Sequence, residues 1–162
     1  MIKFVDVESQ INFDIAFSVE KGLQNTETIL NYLKKYKKLW SLVMIVKYLL
    51  SGIGLNEVYS GGLGSYALVL MCISFFQIKY PADHDKQPLS TLLMNFLQYY
   101  GNEFDYATKG ISIADSSLFD KKTKGWYFEY QPYLLSIQDP NNSDNVGIFC
   151  YFFSFFYLIA NF

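Results

Sequence analysis

The hydrophobic spacing of this chain changes period once, near residue 20, and that change restricts the possible folds more than any other feature. Upstream, IKFVDV and INFDIAF alternate with period two. Ile11, Phe13 and Ile15 fall on one face, while Asn12, Asp14 and Ala16 fall on the other. The intervening ESQ suits a turn, so residues 2–17 are expected to form an antiparallel hairpin. A hairpin of that size is not stable alone, which points to a larger sheet. Downstream the period is helical. NTETILNYLKKYKKL offers Asn25 and Thr26 as caps. Residues 39–51 form a second helix, stopped by Gly52 and Gly54. Residues 64–79 form a third, ended by Pro81. PLSTLLMNFLQYYG forms a fourth, with Pro88 near its start and Gly101 past its end. Residues 104–147 are mixed, with SSLFDKKTKG expected as a loop. The fold class is α+β.

Composition narrows the function classes. With 51% hydrophobic residues the 162-residue chain can bury a sizeable core. A formal charge of −2 argues against a bulk nucleic-acid coat, though not against a local basic patch. Cys72 and Cys150 lie far apart without Cys or His at ligand spacing, so no zinc site is expected. MIKFVDVESQ has no basic segment followed by a long apolar one, so no signal peptide is read there. The tail GIFCYFFSFFYLIANF is uncharged, but it falls short of the roughly 20 residues that span a bilayer. Membrane attachment is therefore not the expected reading. A truncated or mis-spliced end, or an apolar core element, are the alternatives.

The glycines of YSGGLGSYALVLM precede the third helix directly. The first N–H groups of a helix lack partners and carry partial positive charge, so a phosphate can be held there. Ser65 could donate a hydroxyl to that phosphate and Tyr66 could present a ring face to a base. Equally, Gly-Gly-Leu-Gly could be a plain interhelical turn with Ser65 as cap. No Walker lysine or G-x-G-x-x-G pattern accompanies it. Lys47 sits within the apolar run LVMIVKYLL, where an unpaired charge is costly. It either snorkels to solvent or faces the same phosphate as Ser65. Asp14, on a strand between two aromatic residues, is either solvated or a ligand for Mg²⁺.

Taken in order, INFDIAFS, NTETILNYL, LVMIVKYLLSGIGLNEVYSGGLGSYALVLM, PLSTLLMNFLQYYGNEFDY and LSIQDPNNSDNVG resemble the non-canonical poly(A) polymerases. These form the topoisomerase-related-function, or DNA polymerase sigma, group of polymerase-beta-type nucleotidyltransferases. The resemblance covers about residues 2–147 and implies roles for individual residues. Asp14 matches the third metal-binding carboxylate and Asn25 a ribose contact. Lys47 and Ser65 match triphosphate contacts, and Tyr66 matches the ring that stacks on the base. QDPNNSDNVG matches the nucleotide-recognition loop, with Asp144 and Asn145 as readers of the base edge.

The same resemblance implies Mg²⁺ (or Mn²⁺) as cofactor and ATP as substrate. The acceptor is an RNA 3′ end and not DNA. A zinc-knuckle RNA-binding partner and a nuclear location are also implied. It divides the chain into a palm-domain portion (residues 1–20), a helical central domain (21–147) with a poly(A)-polymerase-associated region from about residue 88, and an apolar tail (148–162). Three departures stand out. The family's Gly-Ser loop and Asp-x-Asp or Asp-x-Glu pair are not found upstream of Asp14, so this chain alone is expected neither to bind Mg²⁺ tightly nor to add nucleotides. Ile148 stands where the family usually has Arg, and Ser51 where some relatives have a second lysine. The rival reading is a non-catalytic nucleotide- or RNA-binding scaffold. His84 is expected to be a solvated loop residue and Trp126 a core anchor. Lys34, Lys35, Lys37 and Lys38 read as a solvated helix end more than an RNA contact.

Overall fold

The computed structural model describes residues 2–15, 20–56, 58 and 61–147, with backbone alone for Asp14. The apolar tail expected at 148–162 lies outside them. Strands β1 (Ile2–Val5) and β2 (Asn12–Ile15) pair antiparallel, with Ile2 opposite Ile15 and Phe4 opposite Phe13. The Phe4 and Phe13 rings stack at 5.2 Å, the cross-strand pairing that alternation prescribes. Asp6 closes the turn by accepting from the Ser9 N–H and hydroxyl, and these bonds hold its carboxyl below the usual range.

Helix α1 (Glu20–Lys35) follows, with Glu20 in its first turn and Lys34 and Lys35 in its last, as the helix dipole favours. Asn25 and Thr26 are thus interior to α1 and not its caps. The Thr26 hydroxyl donates back to the Gly22 carbonyl at 2.8 Å. Helix α2 (Leu39–Gly52) buries the stripe Leu39, Leu42, Val43, Val46 and Leu50. Helix α3 (Ser65–Lys79) is buried continuously from Ala67 to Gln77. A helix apolar all round must be surrounded, and α3 packs against α2 and the second sheet. Cys72 lies inside it, and burial pushes its thiol well up.

Helix α4 (Leu89–Gln98) runs into a π-helical turn, Tyr99–Glu103, closed by the Phe104 N–H on the Tyr99 carbonyl at 2.8 Å. Gly101 is therefore inside the widened helix and does not end it. Buried Tyr100 fixes this geometry by donating to the Met71 carbonyl of α3 at 2.9 Å. The expected loop after residue 116 is instead strand β4 (Ser117–Asp120) and the one-turn helix α5 (Lys121–Lys124). With β3 (Lys109–Ser112) and β5 (Ile137–Gln138) the second sheet has the order β4-β3-β5, antiparallel then parallel.

Two further expectations change. His84 is not solvated: its side chain is 16% exposed and its ring meets Tyr36 edge-on at 4.8 Å. Trp126 is only half-buried and packs on Phe119 at 5.3 Å, outside the main core.

Candidate nucleotide site

The glycine turn has a local explanation. Gly61 has φ +79°, a left-handed conformation that favours glycine. A Cβ at Gly64 would sit 2.9 Å from Val58 Cγ2. Gly64, in extended conformation, is the N-cap of α3, so Ser65 is its first helical residue and not the cap. Among the described residues no side chain caps this end, and the first-turn N–H groups of a helix have no partner within the helix. Ser65 is exposed there and Tyr66 is half-buried.

Tyr66 reaches across to the loop after β5. Its hydroxyl donates to Asp139 Oδ1 at 3.3 Å, and that oxygen also accepts from the Asn141 N–H at 2.9 Å. Burial first, and the Asp139 carboxylate second, push the Tyr66 phenol well above its ordinary range. The hydroxyl therefore stays a donor. Asp139 is itself only 4% exposed, and these two donors satisfy its buried Oδ1.

Asn145 knits the loop together. Its Oδ1 accepts from the Ile137 and Gly147 N–H groups, each at 3.0 Å. Gly147 runs so close to the preceding chain that a Cβ there would lie 2.5 Å from the Leu135 carbonyl oxygen. Asp144 is exposed and pairs with Lys21 Nζ at 2.9 Å. That carboxylate raises the proton affinity of Lys21.

Helix α1 supplies the opposite wall. Lys21, Asn25 and Thr28 share one face, as their spacing of four and three residues requires. Asn141 Nδ2 donates to Asn25 Oδ1 at 2.8 Å, and the Thr28 hydroxyl donates to Asn141 Oδ1 at 2.9 Å. Three segments distant in sequence thus meet: one face of α1, the start of α3, and residues 139–145. Asn25, Tyr66 and Asp144 are each joined to this network. Lys47 is exposed at the edge of the buried stripe of α2, one turn after Val43, and makes no ion pair among the described residues. Asp14 lies on β2 opposite Lys3, and its side chain lies outside the described set.

Beneath the loop, Lys121 is almost fully buried, at 1% exposure. Its ammonium donates to the carbonyls of Tyr106, Pro132 and Leu134 at 2.5, 2.9 and 2.6 Å. Burial pulls its pKa down to about 8, against a small opposing effect of Asp105. This cage ties α5 to the irregular stretch leading into residues 137–147. Sequence reasoning missed Lys21, Thr28, Asp139, Asn141 and Lys121. Asp139 had a signal, an Asp-Pro pair that starts a turn. The helical spacing of Lys21 and Thr28 from Asn25 was another.

Among the described residues no group of three or more His, Cys, Asp or Glu could hold a metal ion. Asp14, whose side chain lies outside that set, is the one metal ligand the resemblance assigns, and one carboxylate does not make a two-metal site.

Residues 88–145 match the family model described as Cid1 family poly A polymerase. The chain is 40% identical over 151 residues to Poly(A) RNA polymerase cid14 of Schizosaccharomyces pombe, covering 90% of this chain and 22% of that protein. It is 44% identical over 120 residues to the Inactive non-canonical poly(A) RNA polymerase protein Trf4-2 of Drosophila melanogaster, covering 70% and 29%. Among solved structures, the polymerase core of TRAMP, an RNA surveillance complex, superposes with a TM-score of 0.79 at 28% identity, covering 92% of this chain and 49% of that one. The Cid1 poly(U) polymerase superposes with a TM-score of 0.74 at 25% identity, covering 94% and 58%. The chain thus spans about a fifth to three tenths of these two curated relatives.

Proposed function

The chain belongs to the non-canonical poly(A) polymerases, and on that premise we propose that it forms the nucleotide-gripping part of a template-independent RNA nucleotidyltransferase, adding AMP from ATP to RNA 3′ ends. The observation that carries this reading is the meeting of α1, the start of α3 and residues 139–145 through the Asn25–Asn141 and Tyr66–Asp139 hydrogen bonds. Asn25 is assigned to the ribose, Ser65 and Lys47 to the triphosphate, and the Tyr66 ring to the base.

Base choice is assigned to Asp144 and Asn145. Adenine presents an amino donor where uracil presents a carbonyl acceptor, so a carboxylate favours adenine. The Asn145 carbonyl oxygen serves the loop backbone, which leaves its amide N–H groups as the base donor. Neighbours include a poly(U) polymerase as well as a poly(A) polymerase, so selectivity is the part that most needs measuring.

A divalent ion, Mg²⁺ or Mn²⁺, would activate the RNA 3′-hydroxyl and stabilise the leaving pyrophosphate. Asp14 would be one of its ligands. On the family resemblance, which assigns Asp14 as one of three metal ligands, the 162-residue chain by itself is proposed to be catalytically silent. The similarity to an RNA surveillance polymerase core supports a protein partner and an RNA-processing role. A zinc-knuckle partner and a nuclear site are proposed on the family resemblance.

The test is RNA-primer extension with ATP or UTP by the chain completed with the upstream carboxylate pair. Extension with ATP preferred is expected, and Asp144→Ala should relax that preference. Unchanged selectivity removes the Asp144 assignment. No extension by the completed chain, with ATP still bound, favours the second reading, a non-catalytic scaffold. That reading has its own support in the 44% identity to a relative named inactive.

A further inference from the structure

We propose that the face formed by α5 and the chain after it binds the single-stranded 3′ segment of the acceptor RNA. The identity of the acceptor rests on the proposed function; the location rests on residues outside the nucleotide site. Phe119 and Trp126 pack edge to face, and the Lys124 ammonium lies 5.5 and 5.9 Å from their ring centres. The Lys122 ammonium lies 4.8 Å from the centre of Tyr127. Beyond them Phe128 is 46% and Tyr130 95% exposed. Rings interleaved with ammonium groups are what a single strand needs: ring faces for bases and cations for phosphates.

Charge on this segment supports the same ligand. Asp120 is turned onto its own helix start, accepting from the Thr123 N–H and hydroxyl. Lys121 is turned inward to its three carbonyls. Lys122 and Lys124 are left as the outward cations, with Glu129 as the outward acid. A protein-binding centre would be depleted of such lysines.

The face is also continuous with the nucleotide site. Lys124 Nζ donates to Gln138 Oε1 at 2.9 Å, and the next residue is Asp139, which holds Tyr66. A strand stacked on these rings would have one end beside the nucleotide site, where an acceptor 3′ end is needed. Duplex RNA, whose bases are already stacked, has no faces to offer.

Fluorescence anisotropy of labelled oligo(A) with the 162-residue chain tests this across a salt series. Tyr130→Ala is expected to weaken binding by at least about fivefold with the salt slope unchanged, since a stacked ring and not a charge is lost. Lys122→Gln should lower the slope by about 0.7, the loss of one phosphate contact to a single strand. Glu129→Gln should tighten binding. Each site is exposed, and an unchanged melting temperature verifies the fold. Tyr66→Ala should weaken ATP binding and spare oligo(A), which separates this inference from the nucleotide site. If oligo(A) does not bind, or binds Tyr130→Ala and Lys122→Gln as it binds the parent, the inference is wrong. Variants that keep RNA affinity but lose a protein partner on co-purification would assign the face to protein and overturn it too.

Discussion

Replacing Lys121 with Met weighs two opposed terms of similar size. The native ammonium is buried against three carbonyl oxygens. Its pKa falls from 10.5 to about 8, chiefly through lost hydration. At about 1.4 kcal/mol per pKa step, that burial costs about 3 kcal/mol at neutral pH. Methionine has a similar length and removes the cost. It also leaves three carbonyls without their donor, at about 1–3 kcal/mol each and so about 6 kcal/mol at the midpoint. The balance is a loss of about 3 kcal/mol, equivalent to a melting temperature lower by about 6–12 °C for a domain of this size. Urea and thermal unfolding of Lys121→Met against the parent, at neutral pH, measure it directly. Because the cage leads into β5 and residues 139–147, the variant should also lose amide-exchange protection there first. Equal or greater stability would refute the reasoning. It would mean that the carbonyls find water or each other, and that the buried charge is a net burden, as some buried ion pairs are.

The same lysine gives a pH signature. Below about pH 8 both folded and unfolded chains hold its proton, and its contribution is constant. Between about 8 and 10.5 the unfolded chain holds more protons, so native stability should rise with pH across that window and level off above it. Lys121→Met should lack this rise, and denaturant midpoints at several pH values check both curves. Asn145→Ala removes the acceptor for the Ile137 and Gly147 N–H groups and should cost about 1–3 kcal/mol by urea unfolding. A neutral effect would show that water satisfies both donors.

Different physics made different parts legible in advance. Period-two alternation around Phe4 and Phe13 and the apolar stripe of α2 depend on local spacing, so the hairpin and the helices could be read from the chain. Boundaries set by tertiary contacts could not. Asn25 looked like a cap until the loop at Asn141 gave it a partner within α1. Gly101 looked like a stop until Tyr100 anchored a π-helical turn on Met71. Lys21–Asp144 joins residues 123 positions apart, and no local pattern announces such a pair. SLFDKKTKG is polar enough to pass for a loop because its one buried charge, Lys121, is satisfied by three backbone oxygens from two distant segments, Tyr106 on one and Pro132 and Leu134 on the other.

Amide NMR of the 162-residue chain titrated with ATP examines the meeting of α1, the α3 start and residues 139–145 most directly. Shift changes should appear together at Asn25, Ser65, Tyr66 and Asp144, and Tyr66→Ala should abolish them. Changes confined to the separate cleft lined by Lys79, Tyr80, Asn95, Gln98 and Glu103, or no change at saturating ATP, would contradict a nucleotide site at that junction.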